Sequence, residues 1–223
     1  MKKTGRAVLC IMILTALALV SGGVGEGSAA VLYSQPWDGG SNLYASQNDT
    51  NPSGHGLFAQ VWDNFTLGTS ATILEVDWTG GYFNPPSQGP IGGWFVNFYA
   101  DSSGQPGSLL NSTFLPGTAS ETFLTTVNGF PIYTYQATVG FLAMAGTQYW
   151  LDVYPDLGFP PQWGWATGTG GDGLAYQVFF GSFGPISTDF AFKLQGTVPE
   201  PCTLLLLGSG LLGLAAFRKK FST

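Results

Sequence analysis

Leu74-Glu75-Val76-Asp77-Trp78 alternates apolar and acidic side chains residue by residue. In an extended chain successive side chains point to opposite faces, so a period of two predicts a strand with one face in a core and the other in water. Leu74, Val76 and Trp78 are expected inside, Glu75 and Asp77 outside. Trp94, Val96, Phe98 and Ala100 repeat the pattern, with Asn97 and Asp101 opposite. Further alternating runs cover 133–139, 149–153, 174–180 and 190–194. Turn-forming stretches separate them: Asn84-Pro85-Pro86, Ser103-Gly104-Gln105-Pro106-Gly107, Asn128-Gly129 and the glycine-rich segment 167–173. No window carries the 3.6-residue period of an amphipathic helix. About eight strands without helical crossovers predict an all-β domain, an antiparallel β-sandwich of jelly-roll type, over residues 31–197.

Composition agrees with a packed domain. Charged residues make up 9% of the 223 and aromatics 15%, the reverse of the balance that keeps chains disordered. The charges are also unevenly placed. Lys193 is the single base between residues 31 and 197, against eleven acids, a net of −10. That surface repels phosphate backbones and excludes nucleic acid as a partner. Both cysteines, Cys10 and Cys202, lie in apolar terminal segments, which leaves the central domain without a disulfide or a thiolate metal site.

The ends read as routing segments. Residues 1–30 have the order of a signal peptide handled by the Sec translocon: Lys2, Lys3 and Arg6, then an apolar run over 7–20, then the small residues Ser28-Ala29-Ala30. The other end, 198–223, opens with Val198-Pro199-Glu200-Pro201, whose prolines interrupt any regular element. The apolar run 202–217 follows, expected as a transmembrane helix about 24 Å long at 1.5 Å per residue. Arg218, Lys219 and Lys220 close it as a cytoplasmic stop.

This order of Pro199-Glu200-Pro201, apolar run and basic end resembles the PEP-CTERM sorting signal. The resemblance implies a precursor held in the inner membrane of a Gram-negative bacterium. It also implies recognition of Pro199-Glu200-Pro201 by an exosortase, a membrane cysteine transpeptidase, with cleavage nearby and delivery to the cell surface or the extracellular matrix. Trp78-Thr79-Gly80-Gly81-Tyr82-Phe83, Phe98-Tyr99-Ala100-Asp101, and 145–151 are similar to the β-rich domain of many such proteins. That likeness implies fold and setting only.

The residues that carry chemistry are few. His55, the lone histidine, lies in the turn-like Pro52-Ser53-Gly54-His55-Gly56, without a nucleophile motif, and is expected as a solvated loop residue. Glu75 and Glu121 are the pair to weigh for glycoside hydrolysis, which needs two carboxyl groups across a cleft. Asp101 and Asp172 sit in Asp-Ser-Ser-Gly and Gly-Gly-Asp-Gly loops where oxygens can converge on calcium, without the spacing of an EF-hand. Trp163 and Trp165 follow Pro160-Pro161 at a spacing that puts both rings on one strand face, an arrangement suited to stacking on sugar rings or to covering an end of the sandwich. The expectation is a non-enzymatic surface or matrix protein without a cofactor, binding exopolysaccharide through such aromatics. A secreted glycan hydrolase and a passive coat subunit are the alternatives.

Overall fold

The computed structural model describes residues 29–199 and Gly210. The expected signal peptide, apart from its last two residues, and the expected apolar tail, apart from Gly210, lie outside the described residues. Among the described residues no helix is long and apolar enough to cross a membrane.

Numbered along the chain, the strands are β1 (Ala30–Gln35), β2 (Leu43–Ala45), β3 (Gln47–Asp49), β4 (Gly56–Thr66) and β5 (Ala71–Phe83). Then come β6 (Gly93–Asp101), β7 (Pro106–Pro116), β8 (Thr122–Val127), β9 (Phe130–Ala143) and β10 (Gln148–Asp156). The last five are β11 (Gln162–Gly168), β12 (Ala175–Phe179), β13 (Ser182–Ile186), β14 (Asp189–Phe190) and β15 (Phe192–Thr197). They make an eight-stranded sheet, with the path β1-β15-β5-β11-β14 joined by β2, β8 and β9, and a seven-stranded sheet in the order β13-β12-β4-β3-β10-β6-β7. Fifteen segments replace the eight expected; several of the others are short or edge strands, which show little alternation. The pairing is antiparallel except for a single parallel register pair, Asp156 with Asn48, between β10 and β3.

The two sheets share one core. Trp78 of β5 in one sheet meets Trp94 of β6 in the other, with ring centroids 5.0 Å apart. Trp94 in turn meets Trp163 of β11 edge-on at 4.8 Å. Such edge-to-face contacts add about 0.5–1.5 kcal/mol each beyond the burial of the rings. Val76, Val96, Phe98, Leu151, Val153 and Leu194 complete the same inner layer. One expectation fails within the founding stretch: Leu74 is exposed, not buried. The β5–β15 register shifts between Ile73 and Glu75, a bulge that puts Leu74 outside while Ile73 takes the core position. Asn128-Gly129, expected as a turn, is a two-residue hairpin between β8 and β9; both residues have positive φ, 51° and 85°, as a primed turn requires.

Candidate functional site

Outward-facing side chains of the eight-stranded sheet converge at its centre. Register places Ser34, Lys193, Asp77 and Gln136 side by side across β1, β15, β5 and β9. Lys193 Nζ lies 2.6 Å from Asp77 Oδ2, both partly open to solvent. Gln195 donates to the same oxygen at 2.9 Å and also to Glu75, while Gln136 donates to Asp77 Oδ1 at 3.2 Å. Asp77 therefore holds a fan of donors from both neighbouring strands. A partly exposed ion pair of this kind contributes little to stability.

Two depressions meet here. One, of about 240 Å³, is lined by Ser34, Trp37, Asp77, Thr134 and Lys193 among others. The second, of about 390 Å³, runs on past Ser120, Thr122, Thr134 and Gln136 and shares Asp77 and Lys193 with the first. Together they form a shallow groove with hydroxyl, amide, carboxylate and ammonium groups on its floor. Half-buried Trp37 stands at one end, fixed by a bridge to Gly168 and by its indole N–H donating to Gly40 O at 3.1 Å.

Trp163 and Trp165, expected as a stacking face, are both fully buried, and that expectation is corrected. Their spacing does put them on one face, but the face is the core. Trp163 Nε1 donates to Tyr135 Oη at 3.0 Å and Trp165 Nε1 to Ala191 O at 3.0 Å, so even their polar tips are used inside.

Asp101 and Asp172 are not brought together around a shared cation position. Asp101 accepts from Gly104 N, Gln148 Nε2 and Trp150 Nε1. Asp172 accepts from Asn64 Nδ2 and Leu174 N. The Gly-Gly-Asp-Gly loop wraps another acid: the amides of Gly171 and Gly173 both point at the Asp189 carboxylate, at 3.1 and 2.7 Å. Among the described residues, no group of three or more His, Cys, Asp or Glu side chains is arranged to hold a metal.

Glu75 and Glu121 are likewise engaged separately. Glu75 belongs to the outer face beside Gln195, whereas Glu121 accepts from Tyr82 Oη and Tyr135 Oη at 2.6 and 2.8 Å and so caps the end of the core. His55 is exposed in its loop, its ring lying among Phe58, Phe159 and Phe180.

Two buried carboxyl groups gave no signal in the sequence. Asp152, at the centre of β10, is fully buried on the outer side of the seven-stranded sheet. Its Oδ2 accepts from Gln60 and Asn97, each at 3.0 Å, while Oδ1 has no partner. Burial pushes it up to about 7, against the lowering effect of those hydrogen bonds. Asp63 lies inside, where burial raises its carboxyl well above the ordinary range even though Phe190 N donates to it at 2.6 Å. Asn64 N donates to Oδ1 at 2.8 Å, and the Gln35 amide, oriented to satisfy its neighbours, adds a second donor to Oδ2 at 2.7 Å and ties β1 to β4 across the core.

Residues 197–220 of this chain match the PEP-CTERM protein-sorting motif. That motif implies an exported, membrane-anchored precursor with an exosortase as its processing partner. Pro199 is exposed at the end of the domain, and Glu200, Pro201, Arg218, Lys219 and Lys220 lie outside the described residues. No curated protein matches the chain.

Proposed function

We propose that the chain is a non-enzymatic surface or matrix protein, released by exosortase cleavage at Pro199-Glu200-Pro201, whose domain binds a neutral exopolysaccharide along the groove at Asp77 and Lys193. The groove carries this reading: it joins a half-buried tryptophan at one end to a row of hydroxyl, amide and carboxylate groups. An aromatic face covers the apolar side of a sugar ring, and fixed polar groups bond its hydroxyls. Neutral glycan fits better than acidic glycan, because the domain carries a net of −10 and its one ammonium is already paired with Asp77. Titration calorimetry of the mature protein with exopolysaccharide from the source organism tests it. Saturable heat that disappears in Trp37→Ala and weakens in Asp77→Asn supports the site. Binding unchanged in both variants rules the groove out.

A second reading, a coat subunit that self-associates, is favoured by the apolar side chains on strands at the sheet margins: Leu109 and Phe114 of β7, and Phe123 and Leu124 of β8, are all exposed. Light scattering separates the two: concentration-dependent oligomers support the coat, and a monomer that binds glycan supports the groove.

A further inference from the structure

The end of the domain from which the tail departs exposes several apolar side chains. Thr197, the last residue of β15, pairs with Thr72, which pairs with Leu142. At about 4.8 Å per strand, Leu142 therefore lies roughly 10 Å from the exit point. On the other side, Ala30 and Val31 of β1 pair with Gly196 and Gln195. Val31 is 58% exposed, Leu142 57%, Met144 51% and Val198 41%. Met144 opens the 144–147 turn, which is fastened to this end by Gly146 N donating to Leu67 O at 2.9 Å. Lys193, the domain's single base, is held by Asp77 and adds no free cation here.

We infer that this end rests on the bilayer into which the chain's own tail inserts, with Val31, Leu142, Met144 and Val198 against the lipid interface. The inference rests on the reading of the tail as a membrane-inserting sorting signal. Only Val198-Pro199-Glu200-Pro201 separates the last strand residue from the apolar run 202–217. Four extended residues reach at most about 14 Å, and two of these are prolines. The domain therefore cannot stand away from the membrane, and the surface it must present is the one bearing these side chains. Solvent-exposed apolar groups gain by entering an interface, whereas Glu75 and Asp101 at the same end oppose contact with an anionic surface. The partner is accordingly a zwitterionic lipid surface, and the contact is apolar and insensitive to salt. The opposite pole, at the β12–β13 turn, carries Phe180, whose amide donates to Phe58 O at 2.8 Å near the start of β4. It lies roughly 27 Å away along β4 at about 3.4 Å per residue, and faces outward.

The test uses the full chain with Cys10→Ala and Cys202→Ala, reconstituted in phosphatidylcholine and phosphatidylethanolamine vesicles containing acyl-chain spin-labelled lipid. An environment-sensitive fluorophore is attached at Met144→Cys or, in a second sample, at Phe180→Cys. Protection of Arg218, Lys219 and Lys220 from external trypsin reports tail insertion independently. The expected result is protection together with quenching at position 144, unchanged by high salt and absent at 180. Adding Val31→Asn and Leu142→Asn, both at exposed positions, reduces the quenching at 144 several-fold. Protection without quenching at 144, or equal quenching at both poles, overturns the contact and leaves the sorting reading intact. Loss of protection overturns the tail reading and this inference with it.

Discussion

Trp163 shows how the same residue reads differently as a letter and as a side chain. Pro160-Pro161 before it and glycines around it look like a loop, yet the ring is fully buried against Trp94 and Tyr135. Trp163→Ala is therefore expected to destabilise the domain by about 3–5 kcal/mol, the cost of emptying a large aromatic site. A denaturant midpoint unchanged from the parent would contradict that placement. Asp152 offers a second test. Its folded-state proton affinity exceeds that of an ordinary unfolded carboxyl, so the folded state binds more protons at mildly acidic pH. The stability that Asp152 contributes is full below about pH 4 and is lost as pH rises toward 7, by on the order of 4 kcal/mol for a shift of roughly three units. Asp63, raised by burial as well, acts in the same direction. Asp152→Asn should flatten this slope in pH-dependent unfolding and make the protein more stable than its parent at pH 8.

At the scale of the element, the close approach of β5 and β11 depends on absent side chains. A Cβ on Gly80 would stand 2.1 Å from Trp163 Cζ2 and 2.6 Å from Gly164 O. Neither the buried indole nor the paired backbone can withdraw that far without breaking other contacts. Gly80→Ala should lower stability by about 2 kcal/mol or more, as overpacking does, and thermal unfolding would show it. A melting temperature equal to the parent's would mean that the two strands are looser than they stand here. The strongly alternating strands β6 and β9 were legible in the sequence because a hydrophobic residue occupies nearly every inward position. In β4, Asp63 takes an inward position between Val61 and Phe65. A charged residue in the core phase cancels the alternation, and β4 went unseen for that reason.

For the whole molecule, the sorting motif and the groove lie on separate parts of the chain. Replacing Pro199, Glu200 and Pro201 with alanine should leave the folded domain unchanged and hold the protein in the membrane fraction. Comparing cell-bound with released protein by immunoblot checks this; undiminished release would exclude processing at that motif. The groove has the opposite character. Ser34, Asp77, Gln136 and Lys193 come from four strands far apart in the chain, and no spacing rule joins them. The lone base was conspicuous in the composition, but its partner became visible only through the β5–β15 register.

The sorting motif is legible as sequence because it is written in consecutive residues: Pro199-Glu200-Pro201, an apolar run and a basic cluster. The all-β class is legible for a similar reason, since a period of two is a property of neighbours. What lies on which side of a sheet, and which strands adjoin, depends on burial and register between distant segments. That is why only the tertiary structure placed Trp163 and Trp165 in the core, turned Leu74 outward, and gathered Asp77 and Lys193 on one sheet face.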